Sequence, residues 1–228
     1  MESESDSESG PTFSFFHLWL QELRSLRHEL RACLYTGNHT ALPSLITRTL
    51  AHYESYYRTR SDLTRSDPVK AFTTPWASSL ERSVAYWIAG WRPNTLIHLL
   101  HSESGRRFEA QLEDLLLGVH SGDLGDLSPV QVSQIDEIQR RTVEEEDQIG
   151  EEMGRIQEGE VDLGLVVGRI GWVMGRADEL RMRTLRGVVG LLGSVQAAEF
   201  LIAAADLEYG FREYGRERER GRRRGVWV

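Results

Sequence analysis

The sequence predicts an all-α fold: a multi-helix bundle of long helices behind a disordered acidic N-terminus. Three observations predict it. Apolar residues recur at spacings of three and four along most of the chain, the period of one helix face. Helix start and stop signals separate those stretches. No stretch alternates apolar and polar residues as a half-buried strand does, and no internal repeat of fixed period stands out.

Residues 1–11 are acidic and Ser-rich and close on Gly10-Pro11, a composition that predicts disorder. Phe16, Trp19, Leu20, Leu23, Leu26, Leu30 and Leu34 then mark a helix over about 12–35, stopped by Gly37-Asn38. A second helix, about 41–63, carries Leu45, Ile46, Leu50, Tyr53 and Tyr57, and Asp67-Pro68 marks a restart. A Trp-rich helix is expected over about 75–90. Pro93 opens the next, whose apolar positions run from Leu96 to Leu116 with a bend at Ser104-Gly105. After a Gly/Asp-rich loop, Ser128-Pro129-Val130-Gln131 is a start signal: a Ser N-cap, Pro at the first helical position and Gln at the third. The helix behind it reaches about Glu158, with Ile135, Thr142, Ile149 and Ile156 seven apart, a narrow buried seam on an otherwise solvated helix. Gly159 breaks it. Further helices follow over about 161–192 and 195–214, separated by Gly193-Ser194, before an Arg-rich tail.

Bulk composition excludes several functions. With 228 residues, one large domain or two small ones fit. The single cysteine, Cys33, excludes an internal disulfide and a multi-cysteine zinc site, and reads as a small core hydrophobe rather than a nucleophile. No signal-peptide pattern and no apolar run long enough to span a membrane are visible, which predicts a protein of the nucleus, the cytoplasm or both. The net charge of −8 argues against a direct grip on duplex DNA.

Candidate chemistry reads mostly as structure. Glu144, Glu145, Glu146, Asp147, Glu151 and Glu152 form an acidic run expected on a solvated face. Asp123 and Asp126 lack the spacing of a calcium loop. His98, His101 and His120 carry no metal-site context. Gly164, Gly168, Gly171 and Gly175 match no phosphate loop and suggest a close helix–helix approach instead. No nucleophile elbow, Ser/His/Asp set or nucleotide motif appears, so no catalytic, cofactor or metal residue is assigned and no enzyme activity is expected.

The most informative segment runs from Pro75 to Pro93. Trp76, Leu80, Val84, Trp87 and Trp91 are spaced to share one helix face, with Gly90 and Pro93 ending that helix. Such a stripe predicts a core ridge. Arg92, between a Trp and a Pro, is expected to pair with a carboxylate. Trp76, Leu80, Trp87, Gly90, Trp91, Arg92 and Pro93 are therefore the expected scaffold and interaction motif.

This segment resembles the conserved stretch of the plant delay-of-germination domain, which TGA-type transcription factors also carry behind a basic zipper. Other pieces agree in order: Phe13-Ser14-Phe15-Phe16-His17-Leu18-Trp19, Leu50-Ala51-His52-Tyr53-Glu54-Ser55-Tyr56-Tyr57, Gly122-Asp123-Leu124-Gly125-Asp126-Leu127-Ser128-Pro129, and Ala177-Asp178-Glu179-Leu180-Arg181, followed by Gln196-Ala197-Ala198. The likeness covers residues 12–217, leaving 1–11 as a tail and 218–228 as an Arg-rich end. It implies a non-enzymatic regulator of transcription, seed dormancy or development, working through contacts with transcription factors, coactivators or protein phosphatases. No basic zipper precedes Phe13, so the sequence resembles the branch that lacks one. Two alternatives follow: a sensor of an apolar ligand or haem, and sequence-specific DNA binding within a transcription complex. The family's haem association runs through histidines late in the domain, and this chain has none after His120.

Overall fold

The computed structural model describes residues 11–158 and 162–223. Most of the acidic segment, the break at Gly159 and the last residues of the Arg-rich end lie outside the described residues. Among those described the fold is an all-α bundle, as the periodicity predicts. Its helices are α1 (Pro11–Thr36), α2 (Leu42–Ser66), α3 (Pro68–Thr73), α4 (Asn94–Ala110), α5 (Leu112–Leu116), α6 (Pro129–Glu158), α7 (Leu163–Leu191) and α8 (Ser194–Arg223).

Phe16, Trp19, Leu20, Leu23 and Leu30 place the apolar stripe of α1 in the main core. Gly37, at φ 68°, ends that helix in the left-handed region a glycine enters without a Cβ clash. A short 3-10 turn, His39–Ala41, reverses the chain into α2, which has a proline in its first turn. The two helices are locked reciprocally. Trp19 Nε1 donates to the His52 carbonyl (2.8 Å), His52 Nε2 lies 2.8 Å from the Trp19 carbonyl, and the two rings stack at 4.8 Å. Burial of the His52 ring lowers its pKa, against the opposing pull of the Trp19 carbonyl and Glu22. α8 closes this half against α1 and α2, with Tyr209 Oη donating to the Leu20 carbonyl.

The heptad seam of α6 packs on α7. Ile135, Thr142, Ile149 and Ile156 are all buried, and the hydroxyls of Thr142 and Thr184 meet at 3.2 Å. The start signal of α6 forms a reciprocal cap: Ser128 N donates to Gln131 Oε1 (3.0 Å) and Gln131 N to Ser128 Oγ (3.2 Å). Gln131 and Gln196 then tie the loop before α6 to the α7–α8 junction, Gln196 Nε2 donating to the carbonyls of Asp123 (3.1 Å) and Asp126 (3.3 Å). Truncating a buried aliphatic such as Leu23 would cost about 2–5 kcal/mol.

Three expectations are corrected. The helix opened by Pro93 stops at Ala110, and α5 follows as a separate short piece. α8 continues past Tyr214 to Arg223, because Gly215 and Glu219 lie against residues 78–80. The Trp-rich helix does not exist. Residues 74–93 form an irregular strap containing a π-helical turn, Glu81–Ala85, and a two-stranded hairpin of β1 (Tyr86–Trp87) and β2 (Gly90–Trp91). Aromatic and β-branched residues at 84–88 carry weak helix propensity, so stronger long-range partners decide their conformation.

Candidate functional site

The strap begins where α3 ends. Asp67 caps α3 by accepting from Lys70 N (2.9 Å), and Thr74 takes a left-handed φ of 43° before Pro75. Trp76 turns inward and stacks on Phe16 at 3.9 Å, while its Nε1 donates to Tyr56 Oη (3.1 Å). Ser78 and Glu81 form a second reciprocal cap: Ser78 N donates to Glu81 Oε2 (2.7 Å), and Glu81 N to Ser78 Oγ (3.2 Å). The other oxygen of the buried Glu81 carboxylate accepts from Arg212 Nε and Nη2, both at 3.2 Å. Glu208 lies 4.0 Å from the same guanidinium.

Next comes the hairpin, with Tyr86 opposite Trp91 and Trp87 opposite Gly90. Its two turn residues, Ile88 (φ 47°) and Ala89 (φ 57°), are both left-handed, the geometry of a type I′ turn. Asn-Gly suits that turn; Ile-Ala costs about 1 kcal/mol or more per residue in this region. Two buried arginines hold it. Arg60 donates to the carbonyls of Ala89 and Ile88 (the latter 3.5 Å). Arg181 donates to the carbonyls of Trp91 (2.6 Å), Ile88 (3.1 Å) and Trp87. Both guanidinium groups meet one carboxylate, Asp178, at 3.0 and 2.6 Å. Burial, with Arg60 adjacent, lowers the pKa of Arg181. Arg60 feels the same burial, but Asp178 and the nearby tyrosines raise it above its ordinary value. Gly90 is required here: a Cβ would lie 2.8 Å from Arg181 Cζ and from Arg60 Nη1.

At the exit, Arg92 Nε donates to Glu146 (2.6 Å), the carboxylate partner its position suggests. Glu146 also accepts from Asn94 N (2.7 Å). That overturns one part of the acidic run. Glu144, Asp147 and Glu151 are exposed as expected, whereas Glu146 is buried because α6 faces the strap at that position.

The expected motif residues therefore do not form one ridge. Trp76 packs on α1 and Trp87 against the smaller core cluster of α6 and α7. Trp91 meets Phe211 of α8 edge-on at 5.2 Å, and Leu80 is half-buried. His98, His101 and His120 do not converge; their nearest polar partners are Asn94, Asp136 and Asp126. Among the described residues no group of His, Cys, Asp and Glu could hold a metal ion. Cys33 is partly buried against the main core. Asp123 accepts from Gly125 N and Gln111 Nε2, both at 2.8 Å, and orders its own loop.

Arg60, Glu81, Asp178, Arg181, Glu208 and Arg212 went unread in the sequence. Only the Ala-Asp-Glu-Leu-Arg motif at 177–181 carried a signal, and it did not say that its charges turn inward. A small cavity of ≈ 60 Å³ opens beside this cluster, lined among others by Tyr53, Arg60, Trp91, Arg181 and Glu208. Among the described residues, Arg60 Nε and Tyr53 Oη are buried with no hydrogen-bond partner.

Fold and site together define a helical scaffold domain, in which an irregular strap with one π-helical turn and a hairpin is tied down by paired interior charges. Residues 22–102 match the family model described as DOG1, seed dormancy control. Among curated proteins, the chain is 29% identical to Protein DOG1-like 3 of Arabidopsis thaliana, over 79% of this chain and 74% of that one. It is 26% identical to Protein DOG1-like 2 of the same plant, over 89% of each. Transcription factor TGA2, also of Arabidopsis thaliana, is 23% identical over 82% of this chain but 58% of its own length. The chain is thus similar to the DOG1-like proteins over most of its length and, at lower identity, to the TGA factors.

Proposed function

We propose that this plant DOG1-domain regulatory protein is not an enzyme and works through protein contacts, in transcription, seed dormancy or developmental signalling. The observation that carries this reading is how the interior charges are used. Arg60, Glu81, Glu146, Asp178, Arg181 and Arg212 all bind the strap or one another, instead of converging on an open cleft. A surface held this rigidly suits recognition, because little is left to order on binding. The likeness to TGA transcription factors supports a transcriptional setting; the partners we propose there are transcription factors, coactivators or protein phosphatases. Among the described residues no helix is long and apolar enough to cross a membrane, which is compatible with the nucleus or cytoplasm. The test is affinity purification of the tagged chain from plant nuclear extract with mass spectrometry. Transcription or signalling proteins should co-purify, and should be lost with Gly90→Leu, which displaces the strap. Recovery of neither class would refute the proposal.

A second reading, a small-molecule sensor, is favoured by the unpartnered Arg60 Nε and Tyr53 Oη at the cavity. The cavity's size restricts it. At ≈ 60 Å³ it holds about two waters, well below the roughly 300–1,000 Å³ of drug-sized sites. Haem or a lipid would have to open it. Native mass spectrometry showing no bound molecule, with no melting shift on adding lipid or haem, would remove this reading. For direct DNA binding the discriminating measurement is a mobility shift at low salt, expected to be negative.

A further inference from the structure

We propose that the small cavity beside the hairpin is a binding site for one small monoanion, of the size of nitrate, formate or chloride. The cavity, ≈ 60 Å³, is lined by Tyr53, Arg60, Trp91, Arg92, Arg181 and Glu208 among others. The proposal rests on the sensor reading for its site and changes the occupant. Room for about two waters suits such an ion with one water beside it. Arg92, whose side chain is half-exposed, gives the cavity an edge at the surface.

Arg181 uses every nitrogen of its guanidinium: Nε on the Trp91 carbonyl, Nη1 on Asp178, and Nη2 on the Trp87 and Ile88 carbonyls. Arg60 does not. Its Nη1 and Nη2 are taken by the Ala89 and Ile88 carbonyls and by Asp178, yet among the described residues its Nε finds no acceptor. Tyr53 Oη is likewise without a partner there. Arg60 is fully buried and Tyr53 only 9% exposed. They stand seven apart on α2 and so share one face. Both can donate, and a buried donor left unpaired is costly, the more so on a charged group. What the site lacks is an acceptor, and an anion is the acceptor a guanidinium N–H binds most strongly.

The surrounding charges point the same way. Three arginines, Arg60, Arg181 and Arg212, meet three carboxylates, Asp178, Glu81 and Glu208. They balance only while Glu208 is ionised, and burial raises its carboxyl to about 7. Facing it are Arg212 and Tyr209 on α8, Glu81 and Tyr86 on the strap, and Tyr53 and Tyr56 on α2. Burial holds all four tyrosines above their ordinary pKa, so none supplies negative charge. Once Glu208 takes a proton, one positive charge stays buried without a counter-ion, an unfavourable state. A monoanion restores the balance, so anion and proton are taken up together. A dianion such as sulfate would overshoot it.

The test is calorimetric titration of the full chain with sodium nitrate, formate and chloride, with sodium sulfate as control, at about pH 6 and about pH 8.5. The expected result is saturable binding of one monoanion per chain. Affinity should fall roughly tenfold or more at the higher pH, where Glu208 starts ionised and each anion must bring a proton with it. That proton uptake is read from the dependence of the heat on the buffer. Tyr53→Phe removes only a hydroxyl and should weaken binding with the circular dichroism unchanged. Glu208→Gln should bind equally at both pH values, without proton uptake. No saturable binding of any monoanion would overturn the proposal, with water alone in the cavity. So would sulfate matching nitrate, or binding indifferent to both variants. A chain that binds monoanions but ignores haem and lipid loses those ligands and keeps this site; the converse result removes this site alone.

Discussion

The strap is held at its two ends by buried charge clusters of opposite make. At the hairpin end two arginines share one carboxylate, Asp178, and the surplus positive charge is spread over backbone carbonyls. At the Ser78 end two carboxylates, Glu81 and Glu208, share one arginine, Arg212. The first cluster has many acceptors and a fixed charge. The second has a member that titrates. Burial pushes the Glu208 carboxyl up to about 7; Arg212 opposes this and Glu81 adds to it. One end is therefore a permanent tie and the other a tie whose charge depends on pH.

Removing the shared partner should separate them most sharply. Asp178→Ala leaves two arginines buried without a carboxylate and should cost about 3–5 kcal/mol, read as a fall in the urea midpoint. A loss below about 1 kcal/mol would show that the carbonyls alone satisfy both guanidinium groups.

The pH test addresses the other end. Glu208 has a folded pKa of about 7, raised above the ordinary 4.5 of a glutamate. The folded state therefore binds the proton more tightly. The associated stability is fully present below 4.5 and is lost as pH rises through 7. The loss should reach up to about 3 kcal/mol between pH 4.5 and pH 7.5. The groups facing this carboxyl are Arg212 and Tyr209 on its own helix, Glu81 and Tyr86 on the strap, and Tyr53 and Tyr56 on α2. Glu208→Gln should flatten that part of the stability–pH curve; an unchanged curve would place the titration elsewhere.

Gly90→Ala tests the close approach at the hairpin. Its added methyl meets two fixed guanidinium groups, so a cost of about 1–3 kcal/mol is expected in thermal melting. Arg92→Ala should have the smallest effect. The arginine is half-exposed, but its loss leaves the buried Glu146 with only the Asn94 N–H, for about 1–2 kcal/mol. Glu146→Gln in that background should recover part of it.

Legibility in the sequence followed the range of the interactions. The heptad of α6, the Ser128–Gln131 cap and the stripe of α1 were readable because their partners lie within one or two helical turns, or repeat with the helix period. The strap misled for the same reason. Trp76, Leu80, Trp87 and Trp91 do carry helical spacing, yet the carbonyls a helix would use internally are taken by Arg60 and Arg181, the latter up to 94 positions away. Glu146 looked like one more surface acid, and only the strap facing α6 made it a buried partner.

By itself, then, the sequence determined the helical class, most helix boundaries, the core stripes and the family likeness. These rest on local period, capping chemistry and motif order. Tertiary structure alone decided that the Trp-rich segment is a strap and that its charges are internal. Those outcomes depend on partners far apart in the chain, 131 positions for Glu81 and Arg212. No local pattern encodes such a pairing, because the free energy of burying a charge is set by what the fold places beside it.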